Sequence, residues 1–138
     1  MKVRDMMTEQ VPCCLVSDMA PQAARIMMDL GIGGVVPIVD KDQDSKLIGV
    51  VTDRDLWLEI ARRDSRDVRV SDCTITPDLS CFPNDDVEQA VDCMCDHEVL
   101  RIPVIDENHR IQGMVSMADV LHRSEIPAAK AFEALKKG

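Results

Sequence analysis

Aromatic residues are almost absent from this chain. Its 138 residues include no tyrosine, one tryptophan and two phenylalanines, so aromatic side chains make up 2% of the sequence. A binding surface made of stacked rings therefore has little material, and a flat ligand would have to lie between aliphatic side chains. Nine methionines are present, and we expect most of them to be adaptable core residues.

Long apolar segments are also missing. No run approaches the roughly 20 apolar residues that a membrane-spanning helix needs. The first residues, Met1 to Asp5, contain no apolar stretch of the kind that secretory signals have. We therefore expect a globular, cytoplasmic protein with no membrane partner.

Basic residues are outnumbered by acidic ones. The chain has 16 Lys and Arg against 25 Asp and Glu, which gives a net charge of −9. Proteins whose main partner is nucleic acid usually neutralise several phosphates with clustered basic residues, so this balance argues against such a partner. Any phosphate site must be local.

The six cysteines do not indicate a disulfide framework, because nothing in the sequence suggests export. Cys93, Cys95 and His97 have the residue types of a metal site. At 3.6 residues per turn, however, the two thiols lie about 200° apart on a helix. We predict reduced thiols and no metal site.

No arrangement of catalytic residues is recognisable. The sequence has no Ser-His-Asp order, no glycine-rich Walker loop and no paired carboxylates in a supporting context. We predict no catalytic residue, and the protein is not expected to be an enzyme.

The chain contains an internal repeat. The segment from Gly49 to Asp55 returns as Gly113 to Asp119, with a glycine, two apolar residues, a hydroxyl and an acid at matched spacing. A constant offset of 67 pairs residues in the first part of each copy, and one register held this long indicates a duplication. The pairs include Val3 with Val70, Asp5 with Asp72, Cys14 with Cys81 and Asp18 with Asp85.

Each copy predicts a short extended lead-in, a helix, two strands and a second helix. In the first copy, Ser17 or Asp18 would cap a helix that Gly31 stops. The strands at 35–39 and 47–51 would form a hairpin, followed by a helix that starts at Thr52. In the second copy we predict a helix at 86–97, strands at 101–105 and 111–115, and a helix from Ser116.

These elements predict an α+β fold in which two half-domains share one compact module, because each half is short for a stable domain. We place the first repeat at residues 1–61, a mixed-charge linker at 62–67 and the second repeat at 68–125. A helical tail is predicted at 126–138.

Two hydroxyl and acid pairs stand at the strand-to-helix junctions, Thr52 with Asp55 and Ser116 with Asp119. One interpretation is a capping box, in which these side chains satisfy backbone amides at the helix start. The other is a nucleotide site, since a helix N-terminus attracts anions and a carboxylate can accept hydrogen bonds from a sugar diol.

A glycine precedes each pair by three residues, and Gly49 and Gly113 would let another group approach the strand closely.

The two copies resemble a tandem pair of cystathionine β-synthase (CBS) domains from about Val3 to Arg123. The first copy carries this resemblance in Gly-Ile-Gly-Gly at 31–34, in Pro-Ile-Val-Asp at 37–40 and in the segment 49–55; the second carries it at 101–106 and 113–119. The resemblance implies two repeats packed about a pseudo-twofold axis, usually dimerising into a flat disc. It also implies clefts between the repeats that bind adenosine-containing ligands.

The resemblance assigns expected roles to single residues. The hydroxyls of the two motifs would touch phosphate and the carboxylates would hold ribose. Arg101, two residues before the strand proline Pro103, would meet phosphate. Val35 has that position in the first copy, where Arg54 would have to compensate. The residues predicted to bind the ligand are Thr52, Asp55, Ser116, Asp119, Arg101, Gly49, Gly113, Ile102, Pro103, Val36 and Arg54.

An adenine base would have to lie between aliphatic side chains. Ile102, Val36, Val50 and Met114 are candidates, and each of them fits equally well as plain core.

The sequence therefore predicts a regulatory module that binds AMP, ADP, ATP or another adenosyl compound and needs no cofactor. The ligand would change self-association, with a homodimer expected, or contact with a regulated protein in trans. Two alternatives stay open: a structural or interaction dimer with empty clefts, and a thiol-based redox or metal sensor.

Overall fold

The structure, a computed structural model, describes residues 1–30 and 34–123. Its helices are α1 (Ala20–Leu30), α2 (Asp53–Arg63), α3 (Val87–His97) and α4 (Met117–Arg123). Its strands are β1 (Val35–Asp40), β2 (Lys46–Thr52), β3 (Arg101–Ile105) and β4 (Ile111–Ser116). Among the described residues, no helix has the length and apolarity to cross a bilayer.

The predicted α+β class and the hairpin in each copy are confirmed. Strands β1 and β2 pair antiparallel, and so do β3 and β4, each with one register shift. The proposed stop at Gly31 and the tail helix at 126–138 lie outside the described residues.

The chain forms two compact units that cut across the sequence repeats. The first unit is Pro12–Asp78, and the second unit combines Met1–Val11 with the described chain from Leu79 to Arg123. The lead-in segment of each copy thus belongs to the unit that holds the hairpin of the other copy.

In the first unit, the exchanged segment 68–78 docks at two places. It contacts the start of α1, where Ala20 N–H donates to Val68 O over 2.7 Å and Val70 N–H donates to Asp18 O over 2.8 Å. It then reaches the free edge of β2, where Thr76 and Val50 exchange two backbone hydrogen bonds of 2.9 Å.

The second unit repeats this docking with the exchanged segment 1–11. Val3 N–H donates to Asp85 O over 2.9 Å beside the start of α3. Thr8 and Met114 exchange two backbone hydrogen bonds of 2.9 Å at the edge of β4.

The opposite edge of each hairpin is also paired. Cys14 bridges β1 in parallel at Ile38, and Cys81 bridges β3 in parallel at Val104. A two-stranded hairpin is only marginally stable by itself in water, so we infer that these flanking residues stabilise the sheet of each unit.

The lead-ins differ from the expected extended form, because each contains a single 3₁₀ turn, at Val3–Asp5 and Val70–Asp72. The Asp5 carboxylate accepts the Lys2 N–H over 3.1 Å, and that of Asp72 accepts the Arg69 N–H over 2.9 Å. A carboxylate that accepts the N–H of the residue three positions earlier in the chain favours this tight turn over an extended strand.

Two details at the helix ends correct the sequence prediction. The Asp18 carboxylate accepts the Leu15 N–H over 2.9 Å, so it closes the turn before α1 and does not cap that helix. Helix α2 runs to Arg63 and ends at Asp64, whose φ of 49° is left-handed. Arg62 and Arg63 therefore belong to a helix and not to the linker.

The core of the first unit is aliphatic, as the shortage of aromatics requires. Val36 and Ile38 of β1 pack with Val51 of β2 and Leu56 of α2. The exchanged segment supplies further members of this cluster, Val68, Val70 and Cys73. Because a fully buried valine contributes about 1.5–3 kcal/mol, the exchanged segment is part of the folding core.

We predict that Gly49→Ala and Gly113→Ala each lower the free energy of unfolding by about 1–3 kcal/mol, through overpacking. A Cβ at Gly49 would lie 2.6 Å from Thr76 O, and one at Gly113 would lie 2.6 Å from Thr8 O. Urea unfolding measures the change. Gln112→Ala, at an exposed neighbour on β4, is the control and should stay within about 0.5 kcal/mol of wild type. Wild-type stability in both glycine variants would contradict the docking.

Candidate functional site

The first motif forms a complete capping box at the start of α2. The Thr52 hydroxyl accepts the Asp55 N–H over 3.1 Å, and Asp55 Oδ2 accepts the Thr52 N–H over 2.9 Å. Both residues are half-buried. The capping interpretation is therefore confirmed for this pair, and it occupies one of the two carboxylate oxygens.

The second motif has the same local form at the start of α4, with one difference. The Ser116 hydroxyl accepts the Asp119 N–H over 3.1 Å and also donates to Asp119 Oδ2 over 3.0 Å. Ser116 is 7% exposed, one of few buried polar residues among the described ones.

Arg101 joins the second motif because of strand register. It begins β3 and pairs directly with Ser116, which ends β4. Burial lowers the pKa of the Arg101 guanidinium, and the nearby Asp119 carboxylate opposes that shift. A cation, a hydroxyl and a carboxylate thus meet at the open end of one hairpin.

The first unit has no such cation at the equivalent place. Val35 pairs with Thr52 across the hairpin and is 1% exposed, so it belongs to the core. Arg54 is exposed in the first turn of α2, and its backbone N–H donates to Asp53 Oδ1 over 2.8 Å. The two motifs therefore differ in charge.

Asp53 was not singled out by the sequence, yet it lies at the first motif. Its N–H donates to Gly34 O over 2.9 Å, and a Cβ built on Gly34 would lie 3.0 Å from Asp53 Cβ. Position 53 corresponds to Met117 in the second copy, whose N–H donates to Leu100 O over 2.8 Å. The sequence motif does not predict this contact, because the contact depends on the position of the backbone just before β1.

The space over the two motif glycines is filled by the protein itself. The groups that approach Gly49 closely are Ile75, Thr76 and Pro77, and those at Gly113 are Met7 and Thr8. The docked segments therefore explain both glycines without a ligand.

The residues considered for an adenine slot lie in the core. Val36, Val50 and Ile102 are 0% exposed, and Met114 is 5% exposed. Pro103 is buried as well. For these side chains the structure favours the core interpretation.

The cysteines are unbridged thiols in environments that keep them protonated. Burial raises the pKa of Cys13 and Cys73 to about 11 and that of Cys81 to about 12. A thiol is nucleophilic and binds metal only as the thiolate. Within the described ranges, no three His, Cys, Asp or Glu side chains gather in a way that would hold a metal ion.

The histidines offer little for acid–base chemistry. His97 Nδ1 lies 2.9 Å from Cys93 O within α3. His109 is exposed in the β3–β4 turn with a φ of 64°. His122 lies in the last turn of α4.

Removing a cap hydroxyl should weaken its helix start. We predict that Thr52→Ala and Ser116→Ala each lower the free energy of unfolding by about 0.5–2 kcal/mol, because a backbone amide loses its acceptor. Thr52→Ser keeps the acceptor and should remain close to wild type. Equal losses in Thr52→Ser and Thr52→Ala, measured by urea unfolding, would contradict the capping role.

The raised thiol pKa values predict a pH dependence of stability. The folded state holds these protons more tightly than the unfolded chain, so the thiols' contribution is complete below about pH 8.5 and is lost as pH rises toward 11. We expect the free energy of unfolding to fall between pH 9 and about 11. Cys13→Ala should reduce the slope, and an unchanged slope would show that Cys13 titrates alike in both states.

The CBS domain family model matches residues 3–56 and 70–126 of this chain. An uncharacterized protein of Bacillus subtilis strain 168, YlbB, is 34% identical over 135 residues, which are 97% of this chain and 88% of that protein. The CBS domain-containing protein YhcV of the same strain is 32% identical over 120 residues, covering 86% of this chain and 81% of YhcV.

Similarity also extends to part of an enzyme. Inosine-5'-monophosphate dehydrogenase of Methanocaldococcus jannaschii is 31% identical over 114 residues, which are 81% of this chain. The chain spans 21% of that enzyme.

Two solved structures have a similar fold. Hypoxic Response Protein I, with two coordinated zinc ions, has a TM-score of 0.73 at 28% identity and covers 92% of this chain and 100% of its own. A CBS domain pair in complex with 5'-methylthioadenosine and S-adenosyl-L-methionine has a TM-score of 0.70 at 22% identity, covering 88% and 94%. Since the family match spans both hairpin units and their motifs, the chain belongs to the CBS domain family.

Proposed function

We propose that this protein is a regulatory module that binds an adenosine-containing nucleotide and changes its association with itself or with another protein. The observation that carries the proposal is the meeting of Arg101, Ser116 and Asp119 at the open end of the β3–β4 hairpin. Arg101 is partly buried beside the start of α4, and a guanidinium offers paired N–H donors that match the oxygens of a phosphate.

The chemistry of these groups suits a nucleotide. The Ser116 hydroxyl donates to Oδ2 of Asp119, and an ionised carboxylate has further acceptor sites on its other oxygen. That oxygen would accept hydrogen bonds from a ribose diol, while the guanidinium of Arg101 would pair with a phosphate. The ligand would then span from sugar to phosphate along the end of the hairpin.

The first unit supports a different ligand preference. Thr52 and Asp55 keep the hydroxyl and the carboxylate, but Val35 replaces the arginine and Asp53 adds a second acid. We propose that this motif takes the adenosyl part of a ligand with little gain from phosphate. The fold-level likeness to a CBS domain pair solved with two adenosyl compounds agrees with such ligands.

Ligand binding would act by population shift, because a ligand favours one arrangement of the protein only through its greater affinity for that arrangement.

Self-association is part of the proposal. Trp57 and Leu58 on α2 are 68% and 48% exposed, and Leu121 on α4 is 41% exposed. Exposed large apolar side chains on helices are typical of surfaces that contact a partner, and a homodimer is the form we propose.

A second candidate function is a purely structural interaction module. It is favoured by the complete capping box at Thr52 and Asp55 and by the hydrogen bonds between Ser116 and Asp119, which give the motif residues a role without any ligand. In that case the exposed side chains of α2 and α4 would carry the function.

A thermal-shift screen with adenosine, AMP, ADP, ATP, NAD and S-adenosylmethionine tests the proposal. A ligand at 100 times its dissociation constant adds about 2.7 kcal/mol to the free energy of unfolding. Arg101→Gln should weaken AMP and ATP about tenfold or more and leave adenosine almost unchanged, because only the phosphate loses its cation. Asp119→Asn keeps an acceptor for the cap and should weaken all adenosyl ligands.

Arg54→Gln is the matched control, since this arginine stands exposed at the other motif. It should leave phosphate preference unchanged. If Arg54→Gln abolishes that preference and Arg101→Gln does not, the phosphate site is in the first unit. If no compound stabilises the wild type, the interaction module is the better account.

A further inference from the structure

A buried glutamate in the second half of α2 has no part in the proposed ligand site. The side chain of Glu59 is 7% exposed, and Leu56 is the other buried residue of this helix. A buried carboxylate needs a matched charge, because an uncompensated one is strongly unfavourable.

Arg63 supplies that charge and also contacts the exchanged segment. Its Nε lies 2.8 Å from Glu59 Oε1, and its guanidinium NH2 lies 3.4 Å from Asp72 Oδ1. The hydrogen bond from Arg63 to Glu59 raises the pKa of the guanidinium, as does the charge of Asp72. Arg63 thus bridges two carboxylates, one on its own helix and one on the segment docked against it.

Asp72 holds the exchanged segment in shape at the same time. Its Oδ2 accepts the Arg69 N–H and so closes the 3₁₀ turn at Val70–Asp72, while Oδ1 faces Arg63. The bridge therefore attaches a formed turn to the helix.

Cys73, the next residue, lies in the core beneath this bridge. It is 7% exposed, and burial first, then the charges of Glu59, Asp55 and Asp72, raises the pKa of its thiol to about 11. Its surroundings thus include the carboxylate of the first motif and both carboxylates of the bridge.

We propose that Glu59, Arg63 and Asp72 form an electrostatic latch that keeps the turn of the exchanged segment docked on α2, so that opening the latch exposes Cys73 while the rest of the first unit stays folded.

Two backbone hydrogen bonds also hold the turn, from Val70 N–H to Asp18 O over 2.8 Å and from Ser71 N–H to Val16 O over 2.9 Å. The side chains of Val70 and Cys73 are buried in the core. The bridge is the charged contact between this turn and α2, and a short segment can open locally while the rest of a unit stays folded.

The latch is specific to the first unit. Asp5 occupies the position of Asp72 in the second unit and closes its turn in the same way. The sequence places Arg123 and Pro127 where the repeat offset of 64 would require a glutamate and an arginine. The acid and base pair on α2 is therefore not repeated.

Alkylation with N-ethylmaleimide, followed residue by residue by mass spectrometry at one pH, tests the latch. Asp72→Asn keeps an acceptor for the turn and removes the charge, and Arg63→Gln removes the bridging cation. We expect the rate at Cys73 to rise about fivefold in each, the factor that a partly exposed ion pair supports. Cys14, buried in the core of the same unit, should react as slowly as in wild type.

The two variants separate opening from a change in thiol reactivity. Without opening, Asp72→Asn would ionise Cys73 more easily and speed its reaction, whereas Arg63→Gln would slow it. Faster reaction in both variants requires opening. Slower reaction of Cys73 in Arg63→Gln would overturn the latch.

Matched controls complete the design. Arg62→Gln alters an arginine that is 80% exposed in its side chain and 3.8 Å from Glu59, and Asp5→Asn alters the equivalent turn of the second unit. Both should leave Cys73 at the wild-type rate. If Cys14 and Cys73 accelerate together in Asp72→Asn and Arg63→Gln, the first unit loosens as a whole and the local latch is wrong.

Discussion

Each unit depends on the pairing of an exchanged lead-in with the edge of a hairpin that belongs to the other sequence repeat. Two antiparallel strands are marginally stable alone, so β1–β2 and β3–β4 need further partners. Thr76 and Thr8 supply them through paired backbone hydrogen bonds. This contact requires a glycine beneath it, because any Cβ at Gly49 or Gly113 would meet a carbonyl oxygen at 2.6 Å. The repeated glycine is thus a consequence of the exchange, and the exchange makes the two copies mutually dependent.

Much of the local structure follows from sequence pattern alone, whereas the exchange does not. Strand alternation and the polar loops are short-range signals, so the hairpins and the starts of α2 and α3 were predictable to within a residue. The same signals failed at Asp18, where one carboxylate can close a turn or cap a helix with equal local chemistry. The exchanged segments depend on which edge a short lead-in pairs with. That choice is set by long-range packing of Val68 and Val70, and hydrophobic periodicity carries no information about it.

The candidate site shows the same division. Spacing was enough to find the Thr52 and Asp55 pair and the Ser116 and Asp119 pair, because a capping box is local. Strand register then brings Arg101 to Ser116, a pairing that the motif spacing did not predict. The apolar residues beside the motifs were undecidable from sequence, since a strand buried on both faces and a base-lining strand have the same composition. Their complete burial favours the core interpretation for Val36 and Ile102.

Helix α2 connects the first motif with the proposed latch. It spans 11 residues from Asp53 to Arg63, about 16 Å at 1.5 Å per residue, with the motif at its first turn and the proposed latch at its last. Because the side chains of a helix are fixed relative to one another, a displacement of its first turn also displaces its last turn. A ligand that contacts Asp55 would therefore act on the helix that holds Asp72 through Arg63. The second unit has Arg101 beside its motif, whereas the acid and base pair of α2 has no counterpart there in the sequence. The two proposals together assign recognition of charge to the second unit and control of docking to the first.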